Sequence, residues 1–125
     1  FAQRFNQELK KLGASHIQVE LVKAKVLKGR VLHKLQLKNV VTKQPLTEIL
    51  SEGENRIISL AAFLADAMGK NSQTPFIFDD PISSLDQNYE ESVAQRLIEL
   101  SHNRQIIIFT HRLSLLGIMR HCAKR

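Results

Sequence analysis

The sequence predicts an α/β fold in which parallel strands are covered by helices, preceded by a helix and a β-hairpin. From residue 51 onward, helical segments alternate with two short apolar segments, 75–78 and 106–109. Unbroken apolar runs of this length are typical of strands buried on both faces, which occur in parallel sheets with helical cover. A chain of 125 residues, 43% of them apolar, is long enough to form one domain around its own core.

The first 45 residues predict a helix followed by two strands. Polar and apolar residues alternate strictly from His16 to Leu21, and the run continues through Val26, which predicts one strand; Arg30–Leu37 predicts a second. Lys28-Gly29 between them indicates a hairpin turn. Segment 1–12 is predicted as a helix that ends at the C-cap Gly13 and has one apolar face, made of Phe1, Phe5, Leu9 and Leu12.

The rest of the chain predicts three helices after a loop at 39–45. The first helix is expected to run from Ser51 to Met68, and because its side chains are apolar nearly all round we expect it to be deeply buried. Two further helices are expected at Asp86–Ser101 and Leu113–His121. The three helices therefore alternate with the two predicted strands of the sheet.

Two carboxylates, Asp79 and Asp80, follow the first apolar strand directly. Ligands bind at this edge of open α/β sheets, where one carboxylate can hold Mg²⁺ and its neighbour can orient or deprotonate an attacking water. Two acids before Pro81 are also compatible with a simple strand-to-turn junction. Thr110-His111 follows the second strand at the same predicted edge, and an imidazole there can donate a hydrogen bond to a phosphate oxygen.

The residues Ser51-Glu52-Gly53-Glu54 open the most apolar helix. Ser51 and Glu54 have the spacing of a capping box, in which each side chain bonds to the backbone N–H of the other residue. Gly53 leaves the N–H groups of the first turn unshielded, so the helix start is also able to hold a phosphate. The residues alone leave both interpretations open.

Positive charge is concentrated in the first part of the chain, within a net charge of +6. Residues 1–44 carry ten Lys or Arg against two acids, whereas residues 45–125 carry eight against ten. The basic part is compatible with a nucleic-acid surface, and also with solvated edge strands on which Lys blocks unwanted pairing. Cys122 is the single cysteine, and no apolar run is long enough to cross a bilayer, so we expect a cytoplasmic protein with no membrane partner.

Four short motifs follow one another along the chain: Leu50-Ser51-Glu52-Gly53-Glu54, 76–81, Ser83-Ser84-Leu85-Asp86 and Thr110-His111. In this order they resemble the signature motif, Walker B strand, D-loop and switch histidine of the C-terminal half of an ABC-type ATPase head, which has the P-loop NTPase fold. The strings ILSEGENRIISLAAFLADA and FIFDDPISSLD look like those of SMC-like and RecF/RecN-like ATPases. They are closest to the AAA_13-type group, which includes the RloC- and PrrC-like bacterial ATPases.

The resemblance implies ATP and Mg²⁺ as cofactors and a role for each matching residue. By this resemblance Asp79 is expected to be the Mg²⁺-linked carboxylate, and His111 is expected to sense the γ-phosphate. Asp80 stands where the family usually has a glutamate as general base, so the base is shorter by about 1.5 Å, one C–C bond. The residues implied to contact ATP on a second head, or to communicate across that dimer, are Ser51, Gly53, Glu54 and Asp86.

The same resemblance implies a division of the chain. Residues 1–45 correspond to the end of an inserted arm helix plus the hairpin leading into the head, and residues 46–125 to the C-terminal lobe. No GxxxxGK[ST] loop occurs in the sequence. The chain is therefore expected to be inactive without a P-loop lobe of the same protein and a second head.

Three functions are compatible with this resemblance. The first is an ATP-hydrolysing head fragment of an SMC-like ABC ATPase that acts on nucleic acid, in DNA repair or anti-phage defence. The second is the ATPase subunit of an ABC transporter, and the third is a non-catalytic half-head that only binds a partner lobe. The strings SEGE and DDP, in place of the LSGGQ and DEPTSALD commoner in transporters, favour the first.

Overall fold

The computed structural model describes residues 2–37, 51–83 and 85–124, with the backbone alone in 21–27 and 31–37. The predicted loop at 39–45 and the residues just before Ser51 lie outside the described part. The elements, in chain order, are α1 (Ala2–Lys11), β1 (Val19–Leu27), β2 (Arg30–Leu37), α2 (Glu52–Met68), β3 (Phe76–Asp79), α3 (Gln87–Ser101), β4 (Ile106–Phe109) and α4 (Leu113–Ala123).

The strands β3 and β4 lie side by side in parallel, as their apolar sequences predicted. Phe76 pairs with Ile106 and Asp79 pairs with Phe109. Parallel neighbours need a crossover connection, and α3 supplies it between the two strands. Both strands therefore end at the same edge of the sheet.

The expectation that both strands are buried on both faces was wrong. Phe76 and Phe78 are buried, but Ile77 between them is 64% exposed, and Phe109 at the end of β4 is 61% exposed. Successive side chains of a strand point to opposite faces of a sheet. The core covers the Phe76 and Phe78 face, and the face that carries Ile77 and Phe109 is left open by the described part of the chain.

The expected deep burial of α2 was also only partly correct. One stripe of this helix is fully buried, whereas Phe63 is 45% exposed and Met68 is exposed as well. The ring of Phe63 packs edge-on against Phe76 and Phe78, with centroids 5.3 and 6.0 Å away, so one side of it contacts β3 and the other meets solvent. The buried stripe of the helix consists of Ile57, Ala61, Leu64 and Ala65.

Helix α1 packs into the same core and ends as predicted. Gly13 has a φ of +85°. Its N–H donates to the carbonyl of Lys10 and that of Ala14 donates to Leu9, at 3.2 and 2.8 Å. This is the Schellman arrangement, which satisfies the last carbonyls of a helix and favours glycine at the left-handed position. The apolar side chains that α1 and its end contribute to the core are Phe5, Leu9 and Leu12.

The hairpin forms where the sequence predicted it, although β1 begins later than His16. The amide side chain of Asn6 bonds to both backbone groups of Val19, at 2.9 and 3.0 Å, and so acts as a strand neighbour at the start of β1. At the turn, Lys28 and Gly29 both have positive φ, +51° and +78°. Two successive positive φ angles match the twist of a tight two-residue hairpin.

Candidate functional site

Asp79 and Asp80 lie at the carboxyl end of β3. Asp79 is the last residue of the strand and is exposed. Asp80 extends the strand pairing by one bond, because its N–H donates to the carbonyl of Phe109 at 2.7 Å. Its backbone then becomes left-handed, with a φ of +51°, which aspartate tolerates better than most residues. The chain leaves the sheet at this point, and both carboxylates stand at its edge.

Asp80 contacts both residues that follow β4. Its Oδ2 lies 3.3 Å from Nδ1 of His111, and its Oδ1 accepts a hydrogen bond from the Thr110 hydroxyl at 3.4 Å. Asp80 is half-buried, whereas the His111 side chain is 82% exposed. The structure thus brings together two of the residues that the sequence singled out for catalysis, and their catalytic roles stay a prediction.

Asp79 borders a cavity of about 500 Å³ between β3 and the first half of α2. One side of the cavity is apolar and includes Phe63 and Ile77. Its volume is in the range of small-ligand sites in proteins. The polar residues that face Asp79 across it come from α2 and are Glu52, Asn55, Arg56 and Ser59.

The residue placed to hold a divalent cation is Asp79. Among the residues that the structure describes, no three His, Cys, Asp or Glu side chains converge as a metal cage. Mg²⁺ does not require one, because it keeps several waters and is usually held by one or two carboxylates plus the phosphates of a substrate. An exposed carboxylate beside an open cavity therefore fits an ion that arrives with a nucleotide.

The start of α2 is a complete capping box. The Glu54 N–H donates to the Ser51 hydroxyl at 3.1 Å, and the Ser51 N–H donates to the Glu54 carboxylate at 3.2 Å. The bond from the Ser51 backbone lowers the pKa of Glu54 below its ordinary 4.5, partial burial opposes the shift, and His16 at 3.2 Å adds to it. Gly53 lies half-buried in the first turn. Ser51 and Glu54 thus have a structural role whether or not this helix start also binds a phosphate.

Asp86 caps α3 in a similar way. Its carboxylate accepts a hydrogen bond from the Tyr89 N–H at 3.2 Å, and its side chain is exposed. Burial raises the pKa of Tyr89, and the charges of Glu54 and Asp86 add to that shift. The described side-chain contacts of Ser51, Glu54 and Asp86 are with neighbours in their own helices and with His16, whereas those of Asp80 are with the segment after β4.

Several residues near the site had no signal in the sequence. Arg112 reaches Glu90 at 2.8 Å, and His16 reaches Glu54. Their partners lie 22 and 38 positions away in sequence. A spacing of three or four residues on one helix would have suggested a pair, but these contacts depend on how separate elements pack.

The basic residues of the hairpin are described only at its turn. Lys28 and Arg30 are exposed there. Four other basic side chains that the sequence suggested for nucleic acid, Lys23, Lys25, Lys34 and Lys38, lie outside the described side chains. In the described part of the chain, no helix combines the length and the apolar character that crossing a membrane requires.

Solved structures with a similar fold come from SMC ATPases. One, from work on ATP-driven dimerization and DNA-stimulated activation of SMC ATPases, matches 94% of this chain and 70% of its own, with a TM-score of 0.70 and 22% identity. Another, an SmcHead bound to the C-winged helix domain of ScpA, matches 94% of this chain and 36% of its own, with a TM-score of 0.72 and 21% identity. At these identities the likeness concerns the fold, which is that of a P-loop NTPase head.

Two curated relatives are ATP-binding/permease proteins. Over 65 residues the chain is 34% identical to the glutathione/L-cysteine transport system protein CydC of Haemophilus influenzae and 42% identical to the beta-(1-->2)glucan export protein NdvA of Brucella abortus. These residues are 52% of this chain and 10% of each relative, so the chain spans about a tenth of the curated relatives it matches. The AAA_13 family model, described as an AAA domain, matches residues 1–124. The chain therefore belongs to the AAA_13 family and has the fold of an ABC-type ATPase head.

Proposed function

We propose that this chain is part of the ATP-binding and ATP-hydrolysing head of an SMC-like ABC-type ATPase. In this proposal residues 46–125 form the C-terminal lobe of the head, and residues 1–45 are the end of an inserted arm helix plus the hairpin leading into it. The observation that carries the proposal is the contact between Asp80 and His111 at the shared carboxyl edge of two parallel strands. This is the edge at which α/β folds bind ligands.

Three residues at this edge have proposed roles toward ATP. Asp79 would hold the Mg²⁺ that, when bound, neutralises charge on the phosphates. Asp80, which contacts both Thr110 and His111, would orient and deprotonate the attacking water. His111 would donate a hydrogen bond to the γ-phosphate. An imidazole that keeps Asp80 as partner of Nδ1–H and donates through Nε2 must carry both protons.

The start of α2 is proposed to face ATP bound to a second copy of the head. Its N-terminus carries the positive end of the helix dipole, which favours a phosphate. Gly53 keeps that turn free of a bulky side chain. The residues that would serve this second head, by contact with the phosphate or across the dimer, are Ser51, Gly53, Glu54 and Asp86.

Two further lobes are needed for activity in this proposal. The sequence holds no GxxxxGK[ST] loop, so a P-loop lobe of the same protein would supply the cradle for the phosphates. The exposed Ile77 and Phe109 on the open face of the β3–β4 sheet are apolar, as expected for a surface that another part of the protein covers. The chain alone is accordingly proposed to be inactive.

Nucleic acid is the proposed partner of the complete protein, in DNA repair or anti-phage defence. The support is the excess of ten basic over two acidic residues in 1–44, together with the likeness to SMC heads studied for activation by DNA. A basic surface of this kind attracts the phosphate backbone without reading its sequence.

A transporter ATPase is the second candidate function. It is favoured by the matches to the ATP-binding/permease proteins CydC and NdvA, at 34% and 42% identity. A non-catalytic half-head that only binds a partner lobe is the remaining alternative, and the open apolar face is compatible with it.

Steady-state ATP hydrolysis by the complete protein separates these candidates. We expect Mg²⁺-dependent hydrolysis that Asp80→Asn lowers strongly. DNA or RNA should stimulate it for an SMC-like head and should not for a transporter subunit. The purified 125-residue chain should show no hydrolysis above a buffer blank. Hydrolysis by that chain, lost in Asp80→Ala, would contradict the need for a second lobe, and no hydrolysis by the complete protein would favour the half-head alternative.

A further inference from the structure

Arg112, which follows His111 directly, connects the start of α4 to two other segments. Its Nη1 donates to Oε1 of Glu90 at 2.8 Å and to the carbonyl of Ile82 at 3.3 Å. Glu90 lies in the first turn of α3, and Ile82 lies in the turn after Asp80. The Glu90 side chain is 14% exposed, so water screens this ion pair less than it screens a surface pair.

The backbone of Arg112 is tied back toward Asp80. Its N–H donates to the hydroxyl of Thr110 at 3.1 Å, and that hydroxyl donates to Asp80 Oδ1 at 3.4 Å. Segment 110–112 is therefore fixed at both ends. Thr110 holds one end to the carboxylate, and the Arg112 side chain holds the other to Glu90 and Ile82. His111 lies between these two anchors.

His111 depends on these anchors for its position. Its side chain is largely exposed, and the contact that the structure shows for its ring is the one with Asp80. Arg112 is the N-cap of α4, and its side chain makes no cap hydrogen bond to the first turn of that helix. The backbone of 110–112 carries the imidazole, and the Arg112 side chain ties that backbone to Glu90 and to Ile82.

We infer that Arg112, anchored by Glu90, is a positioning residue for ATP hydrolysis, which acts by holding His111 against Asp80. The inference rests on the roles proposed for Asp80 and His111. The link also runs through Ile82 and Glu90, so it joins the segment after β4 to the turn after Asp80 and to the first turn of α3. A change at either end of this link alters the placement of the imidazole.

The test is the steady-state kinetics of the complete protein carrying Arg112→Met. Misplacement of a reacting group by about 1 Å lowers rates up to a hundredfold, so we expect kcat to fall roughly ten- to a hundredfold with little change in the KM for ATP. Arg112→Lys keeps the charge opposite Glu90 and should recover most of the loss. Glu90→Gln should lower kcat as Arg112→Met does, and Arg120→Met on the same helix should leave it unchanged.

Epistasis with His111 distinguishes positioning from a general structural role. In a His111→Ala background, Arg112→Met should have no further effect on kcat, because the group that it positions is absent. An equal loss with and without His111 would overturn the inference, as would wild-type kcat in both Arg112→Met and Glu90→Gln. Thermal unfolding and circular dichroism show whether Arg112→Met folds. If it does not, Glu90→Gln replaces it, and its effect on kcat is compared with and without His111→Ala.

Asp80→Asn separates this inference from the function on which it rests. If Asp80→Asn hydrolyses ATP like the wild type, both proposals fail. If Asp80→Asn is inactive while Arg112→Met and Glu90→Gln retain full kcat, the proposed function stands and the positioning role alone is wrong.

Discussion

Glu8 of α1 and Arg96 of α3, 88 residues apart in sequence, form a buried ion pair with two hydrogen bonds. The Arg96 Nε donates to Glu8 Oε2 at 2.9 Å and its Nη2 donates to Oε1 at 2.6 Å. Burial alone would lower the pKa of Arg96, but the hydrogen bonds and charges of Glu8, and then of Glu99, outweigh it and raise the pKa. The pair fixes the N-terminal helix to the βαβ unit, so α1 belongs to the same packed body as the candidate site.

Breaking this pair should destabilise the fold strongly. Glu8→Ala leaves the guanidinium of Arg96 buried with Glu99 as its remaining partner, and removal of one member of a buried pair costs about 3–5 kcal/mol. Glu99→Ala, which removes an exposed partner of the same guanidinium, should cost less than about 1 kcal/mol. Urea unfolding of the wild type, Glu8→Ala and Glu99→Ala gives the free energies of unfolding to be compared. Equal losses in the two variants would mean that burial does not strengthen the Glu8 contact.

The capping box should make stability depend on pH. Because the pKa of Glu54 is lowered in the folded chain, its ionised form stabilises the fold above 4.5, and this contribution is lost as the pH falls through the folded-state pKa. Glu54→Gln keeps the capping geometry but cannot ionise. We expect the wild type to be more stable than Glu54→Gln at neutral pH, and the difference in stability between the two proteins to narrow in acid. Urea unfolding midpoints from about pH 7 to about pH 3 measure this difference. A difference independent of pH would contradict the assignment.

Gly13 should not tolerate a side chain. A Cβ there would lie 2.7 Å from the Ser92 hydroxyl and 3.1 Å from its Cβ, and the φ of +85° costs an L-residue roughly 1–2 kcal/mol. Gly13→Ala should therefore destabilise by at least that amount in thermal unfolding. Gly117→Ala is the matched control, because a Cβ there meets nothing within 4 Å and α4 gains a better helix former, about 1 kcal/mol of stability.

The charge of Asp80 can be tested without disturbing its backbone, and its reach can be tested with a longer carboxylate. Asparagine tolerates the left-handed conformation as aspartate does, so Asp80→Asn removes the charge alone and should lower kcat roughly a hundredfold or more. Asp80→Glu introduces the glutamate that is usual at this position in ABC-type ATPases and should retain hydrolysis. Single-turnover ATP hydrolysis by the complete protein measures both. Full activity of Asp80→Asn would remove Asp80 from the reaction.

The basic hairpin should bind nucleic acid through charge. Binding of the complete protein to a DNA or RNA duplex should weaken steeply with salt, by about 0.9 in log K per phosphate contact and unit of log salt for B-DNA. Glutamine at the basic positions of 23–38 should reduce that slope, and glutamine at Lys70, Arg120 and Lys124 should not. If the salt dependence of binding is unchanged in the hairpin variants, the basic residues of the hairpin do not contact nucleic acid and serve only to keep the strands solvated. The substituted positions are Lys23, Lys25, Lys28, Arg30, Lys34 and Lys38.

Periodicity predicted most elements because it reports local structure. The hairpin turn at Lys28-Gly29, the cap at Gly13 and the capping box at Ser51 each depend on residues within a few positions of one another, and all three formed as expected. Burial was predicted less well. An apolar run does not specify how many faces of a strand are covered, and Ile77 is exposed because no described element packs on its side of the sheet.

The amino-acid sequence by itself determined the order of elements, the strand ends that carry Asp79, Asp80 and His111, and the membership of an ATPase family. The tertiary structure decided the contacts that the separate elements make: Asp80 with His111, Arg112 with Glu90, and Glu8 with Arg96. The physical reason is the separation in sequence of the residues that interact. Capping and alternation arise between near neighbours in the chain, whereas a side-chain contact across 22 to 88 positions exists only after helices and strands have packed.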